Sequence, residues 1–213
     1  MAEDVFFPQN SRVNSTPATP DPERARLRRE LRQRRRELPA AQRIAAADGL
    51  AAQLLALPWL TEGGYVAGYW ASDGEIGLHV FQLKLPAGCI YCLPLLHGEE
   101  LRFAPWRSGD PLVSNRFGIP EPDLEPSSAL PPEAMSLVVM PLVGFDAHGQ
   151  RLGMGGGWYD RSFAFRRHVA APPWLVGVGF DQQRLDAPLQ AEDWDVAPDA
   201  ICTPSATHLK NPA

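Results

Sequence analysis

The sequence is short of cysteine and of long apolar runs, and each shortage excludes something. Only three cysteines stand among 213 residues, an odd and small number that argues against a disulfide scaffold and fits a reducing compartment. No apolar run approaches the ~20 residues that a membrane-crossing helix needs. The first ten residues, MAEDVFFPQN, lack the basic start and apolar stretch of a secretory signal. A cytoplasmic chain with no membrane partner is expected. Cys89-Ile90-Tyr91-Cys92 has the spacing of a redox or zinc pair, but no second CxxC and no HxxxH completes it. If that segment is a strand, residues three apart point to opposite faces, and the pair reads as two core cysteines. The five histidines are scattered without metal spacing.

What is present suffices for a sizeable core: 45% of residues are apolar and 21% are charged, which excludes wholesale disorder. The net charge is −5 at pH 7, yet nine arginines stand against three glutamates between Glu23 and Arg43. Such a stretch suits a phosphorylated ligand, nucleic acid or plain solvent. The acidic balance of the whole chain disfavours nucleic acid, and none is expected as a partner.

Residues 1–22 carry four prolines among polar residues and read as a disordered leader. From Glu23 the pattern is helical, with Leu27, Leu31 and Leu38 on one face, and Pro39 stops it. A second helix carries Ile44, Ala47, Leu50, Leu54 and Leu57 at three- and four-residue steps, with Gly49 as its weak point. Short apolar runs at 65–70, 89–95, 101–106, 137–142, 174–180 and 200–203 read as strands. Residues 75–83 and 157–170 read as helices, and residues 107–133, with six prolines, as a long irregular crossing. Continuous apolar strands alternating with helices predict one three-layer α/β/α domain, residues 23–205, with a mainly parallel sheet. Residues 206–213 read as a flexible tail.

The segment PLVGFDAHGQRLGMGGGWYDR, residues 141–161, carries the chemistry. It runs from a strand through a turn to a basic residue, four glycines in five positions, an aromatic pair and Asp160. Glycine lets backbone approach a ligand closely, and unpaired amides entering a helix make an anion site. It is neither a Walker loop, lacking GK[ST], nor a dinucleotide fingerprint, whose third glycine position holds Trp158. Alone it reads equally as a phosphate cradle or a tight structural turn. Arg151 and Asp160 favour the cradle, because phosphate needs a cation and a carboxylate can hold Mg²⁺.

On these residues the chain resembles the 5-formyltetrahydrofolate cyclo-ligase family over residues 24–204. The most specific stretch is Phe145-Asp146, Gly149, Arg151-Leu152-Gly153, Gly155, Gly157 and Tyr159-Asp160-Arg161. It is supported by Arg24, Leu27-Arg28, Asp73-Gly74-Glu75-Ile76, Gly118-Ile119-Pro120-Glu121-Pro122, Trp194-Asp195 and Asp199. The resemblance implies a cyclo-ligase-like fold, related to the sugar-phosphate isomerase and CoA-transferase type. It also implies ATP- and Mg²⁺-dependent closure of 5-formyltetrahydrofolate, polyglutamylated or not, to 5,10-methenyltetrahydrofolate through a phosphorylated formyl group, by a monomeric enzyme.

By the same resemblance, Glu75 and Arg151 are catalytic. Arg24, Arg28, Arg151, Leu152, Gly153, Met154, Gly155, Gly156, Gly157, Trp158 and Tyr159 meet ATP. Trp70, Glu75, Phe117, Met154, Gly155, Gly156, Gly157 and Trp158 meet the folate. Asp160 and Asp195 hold the metal, with Asp193 a neighbouring alternative and a turn-capping role open for Asp195. Met154 and Gly156 replace basic residues of some relatives, leaving more of the phosphate binding to backbone amides. The alternative is a non-catalytic nucleotide- or folate-binding relative, or an RNA-binding adaptor built on the arginine helix. Glu75 together with Asp160 disfavours a dead enzyme.

Overall fold

The computed structural model describes residues 21–60 and 62–210. Of the expected leader, residues 1–20 lie outside this range, and the last two belong to the domain. Asp21 caps helix α1 (Pro22–Arg36), its carboxylate accepting the Glu23 amide at 2.9 Å, and Pro22 sits in the first turn, where no amide is needed. Then come α2 (Ala40–Leu55), β1 (Gly63–Ala67), α3 (His79–Lys84), β2 (Gly88–His97), β3 (Glu100–Pro105), β4 (Leu112–Ser114) and β5 (Pro120–Pro122). The chain ends with β6 (Met135–Pro141), β7 (Gly144–Phe145), β8 (Arg151–Leu152), α4 (Trp158–Ser162), β9 (Trp174–Val178), β10 (Ala200–Cys202) and β11 (Thr207–Leu209).

Seven strands form one sheet in the order β11-β10-β9-β6-β1-β2-β3. The five inner strands are mutually parallel, and β3 and β11 close the two edges antiparallel. The α/β reading with a mainly parallel sheet holds. Taken by themselves, the parallel strands run second-first-third-fourth-fifth, so the order reverses between β1 and β6. In such sheets a crevice opens at the carboxyl ends of the two strands flanking the reversal.

Alternation along β6 feeds two cores. Leu137 and Val139 pack with Leu50, Leu54 and Phe81 of α2 and α3, whereas Val138 and Met140 pack with Phe103 and Phe163 on the other face. The second layer is thin, made of α4 and a 3₁₀ turn, Ala164–Arg167. Cys89 packs on the first face and Cys92 on the second, as expected for a strand. Burial pushes the Cys92 thiol up to about 12, leaving it unreactive.

Several expectations move. Ile44 is 68% exposed, because the buried stripe of α2 centres on Ala46, Ala47, Leu50, Ala51 and Leu54 and Ile44 lies roughly a quarter turn away. Gly49 has a packing reason, since a Cβ there would meet the Pro204 carbonyl at 2.6 Å. The helix expected from residue 75 starts only at His79. Before it, the Glu75 amide closes a turn onto Ser72 at 2.9 Å, and the Ile76 carbonyl accepts the Tyr69 hydroxyl at 2.7 Å. The helix expected over 157–170 stops at Ser162, whose hydroxyl donates to the Trp158 carbonyl and accepts the Leu101 amide of β3. The irregular crossing contains the β4–β5 hairpin. Residues 207–209, placed in the tail by sequence, pair with β10 as an edge strand.

Candidate active site

The connection beyond β1 begins Gly68-Tyr69-Trp70. A Cβ at Gly68 would meet the Tyr91 hydroxyl at 2.0 Å, so only glycine leaves room for that buried ring beside the chain. Asp73 then turns the chain with φ +48°, a conformation rare outside glycine. The turn is held by α1. Asp73 Oδ2 accepts Arg32 Nε at 2.7 Å and Arg35 Nη2 at 2.8 Å, Oδ1 accepts Arg36 Nη1 at 3.2 Å, and the Asp73 carbonyl accepts Arg35 Nε at 3.0 Å. Burial works against the Asp73 carboxylate, but Arg32 and Arg35 outweigh it and hold the group below its ordinary range.

Two residues on, the Glu75 side chain is 7% exposed, its Oε2 accepting the Ser72 amide at 3.0 Å and its Oε1 3.7 Å from Arg35 Nη1. Here burial wins. The Glu75 carboxyl lies above its ordinary range despite the hydrogen bond from Ser72 and the charge of Arg35. Burial also raises the Tyr69 and Tyr159 hydroxyls, with the Glu75 charge adding to both.

The β7–β8 hairpin beyond β6 carries the second group. α1 packs on it through Leu27 and Leu31, against Val143 and Leu152. Arg151 pairs with Asp160 Oδ1 and donates through Nε to the Val196 carbonyl at 3.3 Å, while the Val196 amide donates to the same Asp160 oxygen at 3.1 Å. Asp195, one peptide away, holds Arg24 Nη2 at 3.3 Å and accepts the Glu192 amide at 3.0 Å. The turn-capping role left open for Asp195 is therefore real, and it coexists with the pairing to Arg24. Arg24 also meets Glu192 Oε1 at 3.3 Å, and its buried Nε has no partner among the described residues. Arg28 Nε donates to the Gly153 carbonyl at 2.9 Å, and a Cβ on Gly155, φ +95°, would sit 3.4 Å from that guanidinium. Among the described residues, no amide from 153 to 157 donates a hydrogen bond. These are the donors an anion needs. Gly157, at φ +67°, leads into α4, but that helix spans only five residues, so amides and arginines rather than a long helix dipole face the loop.

The expected aromatic contacts form two separate pairs. Trp70, 37% exposed, meets Trp106 edge-on at 5.8 Å. Phe117, 57% exposed, meets Trp158 edge-on at 5.9 Å. Arg116 and Arg161 lie over the Trp158 ring at 5.1 Å each. Met154 projects from the loop, half-exposed.

Thus Arg24, Arg28, Arg151, the glycine loop, Asp160 and Asp195 converge around one loop, while Glu75 stands across the crevice beside Asp73. Tyr159 couples the halves, with Glu75 and Arg151 both acting on its hydroxyl. Sequence reasoning missed Arg35, Tyr69, Tyr91, Arg116 and Glu192. The first was hidden in an arginine run, Tyr91 in a cysteine pair read as core, and the others beside residues that drew attention instead of them.

The chain as a whole has known relatives. The 5-formyltetrahydrofolate cyclo-ligase family model matches residues 20–204. The chain belongs to the 5-formyltetrahydrofolate cyclo-ligase family. It is similar to the 5-formyltetrahydrofolate cyclo-ligase of Escherichia coli K12, with 36% identity over 82% of this chain and 97% of that one. For the Haemophilus influenzae Rd enzyme the identity is 34%, over 81% and 93%. The solution structure of Aquifex aeolicus 5,10-methenyltetrahydrofolate synthetase superposes with a TM-score of 0.75 at 26% identity, covering 89% of this chain and 94% of that one. Among the described residues of this cyclo-ligase family member, no helix is long and apolar enough to cross a membrane, and no three or more His, Cys, Asp or Glu side chains gather as a metal cage.

Proposed function

We propose that the chain closes 5-formyltetrahydrofolate to 5,10-methenyltetrahydrofolate, converting ATP to ADP and phosphate, as a cytoplasmic monomer that takes folate with or without a polyglutamate tail. A formamide oxygen is a poor leaving group. Transfer of the γ-phosphoryl to that oxygen makes it a good one; N10 then attacks the formyl carbon, the C–O bond breaks with the electron pair leaving on phosphate, and N10 sheds its proton. Catalysis of this kind is mostly positioning and neutralisation of charge.

The supporting observation is the pairing of unsatisfied loop amides with arginines on one side of the crevice and a buried carboxylate on the other. The amides of residues 153–157, with Arg151, cradle and neutralise the phosphates. Arg24 and Arg28 clamp the nucleotide. Glu75 accepts a hydrogen bond from the folate, and its raised pKa suits it to take the N10 proton. Trp70, Phe117 and Trp158 offer ring faces to the pterin and aminobenzoyl groups.

The residues also fit Mg²⁺. Asp160 Oδ2 and Asp195 Oδ1 have no hydrogen-bond partner among the described residues, and Mg²⁺ is commonly bound by one or two carboxylates together with substrate phosphates and water. Bound there, it would supply charge for the β- and γ-phosphates. The adaptor reading finds little support, because the family matched over residues 20–204 is one of cyclo-ligases and half of the helix arginines turn inward, Arg32, Arg35 and Arg36 onto Asp73 and Arg26 onto its helix neighbours.

The test is ADP release with and without 5-formyltetrahydrofolate, followed together with the near-ultraviolet absorbance of the methenyl product. Equal yields of ADP and product, with no hydrolysis lacking folate, are expected. Folate-independent hydrolysis, or folate binding without turnover, overturns the reading.

A further inference from the structure

Arg35 is 2% exposed, yet its sequence context does not separate it from Arg34 or Arg36. Its guanidinium spans the crevice floor. Nε and Nη2 bond the carbonyl and carboxylate of Asp73 beyond β1, while Nη1 donates to the Leu142 carbonyl beyond β6 at 3.4 Å. The same Nη1 is the atom 3.7 Å from Glu75 Oε1. Two of these engagements are duplicated. Asp73 keeps Arg32 and Arg36, and the Leu142 carbonyl also accepts Gln183 Nε2 at 2.9 Å. The approach to Glu75 is not duplicated: among the described residues no other cation pairs with that carboxylate, and its only hydrogen bonds come from Ser72, at 3.0 and 3.4 Å.

We infer that Arg35 is a positioning residue for Glu75, its guanidinium holding the carboxylate in the orientation and charge state that meets the folate. The inference rests on the proposed contact between Glu75 and folate. A buried arginine committed only to the fold would have no need to reach Glu75, since the two loops it ties are also held by Arg32, Arg36 and Gln183. The groups facing Glu75 are Arg35 from α1, Ser72 and Asp73 on its own loop, Tyr69 at the end of β1 and Tyr159 on α4. Arg43 of α2 and His79 line the same 370 Å³ cavity. Burial and Asp73 lift the Glu75 pKa, while Ser72 and Arg35 pull it down. Removing the charge of Arg35 therefore raises it further, and an activity that needs the ionised carboxylate loses its acidic limb at higher pH.

The experiment is a pH profile of kcat/KM for 5-formyltetrahydrofolate, with KM for ATP and thermal unfolding measured alongside, for Arg35→Met, Arg35→Lys and Glu75→Gln. In Arg35→Met the acidic limb should move up by roughly one unit or more, the effect expected when a nearby opposite charge is lost. Arg35→Lys should keep the limb near its original place while kcat/KM for folate falls about tenfold to a hundredfold, because a point charge does not reproduce the planar fork and small misplacements are costly. KM for ATP should stay within about twofold in both, as neither variant touches the phosphate loop. In a His79→Gln variant the limb should remain in place, which excludes the histidine of that cavity as its source. In a Glu75→Gln background Arg35→Lys should add little further loss, as expected for residues acting through one contact.

The inference is overturned if the Arg35 variants only unfold earlier, with limb and folate kinetics unmoved. If Arg35→Met does not fold, wild-type folate kinetics in Arg35→Lys overturn it equally. The reading beneath it fails separately, if Glu75→Gln itself turns over normally.

Discussion

Two arginine–carboxylate clusters flank the reversal in strand order, and they are built to opposite ratios. Around Asp73, three arginines converge on one carboxylate, and one of them is fully buried. Around the glycine loop, Asp160 and Asp195 have one close arginine each, and among the described residues each keeps a carboxylate oxygen without a partner, beside amides that donate to none of those residues. The same residue types therefore do different work. An over-satisfied carboxylate fixes a turn, whereas a minimally satisfied one keeps an oxygen open to a further partner. The arginines of α1 divide in the same way: Arg24 and Arg28 point to the exchangeable cluster, and Arg32, Arg35 and Arg36 to the fixed one.

The comparison breaks most sharply at Asp160. Asp160→Asn should keep the fold at some cost in stability, since its amide oxygen can still accept the Val196 amide while Arg151 loses its paired carboxylate. It should lose turnover by several kcal/mol of transition-state stabilisation, about a thousandfold. Steady-state rates across a Mg²⁺ titration test this, and near-normal rates would show that the cluster is structural after all. At the fixed cluster the balance should invert. Asp73→Asn should lower stability by about 3 kcal/mol, because three arginines lose the carboxylate they share and buried Arg35 is left, among the described residues, with Glu75 alone as an anion, at 3.7 Å. The loss is read as a shift in the urea midpoint, and an unchanged midpoint would contradict the latch.

A smaller effect is expected when Arg24 and Arg28 are both changed to Ala. KM for ATP should rise tens-fold, each charge-assisted contact to phosphate being worth about 1.5–3 kcal/mol and the pair falling short of additivity. Stability should fall less than in Asp73→Asn. An unmoved KM would return these arginines to a purely structural role.

The smallest effect separates the two carboxylates of the fixed cluster. Asp73 lies below its ordinary 3.8, so its contribution to stability is present above that value and lost as pH falls through the lowered one. Glu75 lies above its ordinary 4.5, so what it contributes is present below that value and lost as pH rises through the raised one. Glu75→Gln should consequently be slightly more stable than the parent at neutral pH, with the difference vanishing toward acid. Paired thermal melts at two pH values decide it. A less stable variant at neutral pH would mean that the pair with Arg35 outweighs burial.

Much of this was legible in the residues. Apolar runs such as 137–142 and 174–180 marked buried strands, because a strand covered on both faces needs little polar alternation. The run of glycines between Arg151 and Asp160 marked the loop, because only that composition leaves donors and close approach together. Pattern reasoning failed where a single side chain or a pairing decides an element's end. The Leu101 amide that ends α4 comes from 61 residues away, and the Tyr69 hydroxyl that delays α3 and the β10–β11 hairpin that makes residues 207–209 a strand leave no mark in the hydrophobic period.

By itself, then, the sequence determined the alternation of strands and helices, the placement of both core cysteines on opposite faces, and the glycine loop with its flanking Arg151 and Asp160. These follow from side-chain period and from glycine's lack of a Cβ, which are local properties. Only the tertiary structure decided which strands neighbour one another, and hence where the crevice opens. It also decided which of nine similar arginines is buried against Asp73 and Glu75 and which face the glycine loop. Charge pattern along a chain records how many arginines there are, but partner and burial are set by the loops that the sheet order brings beneath the helix.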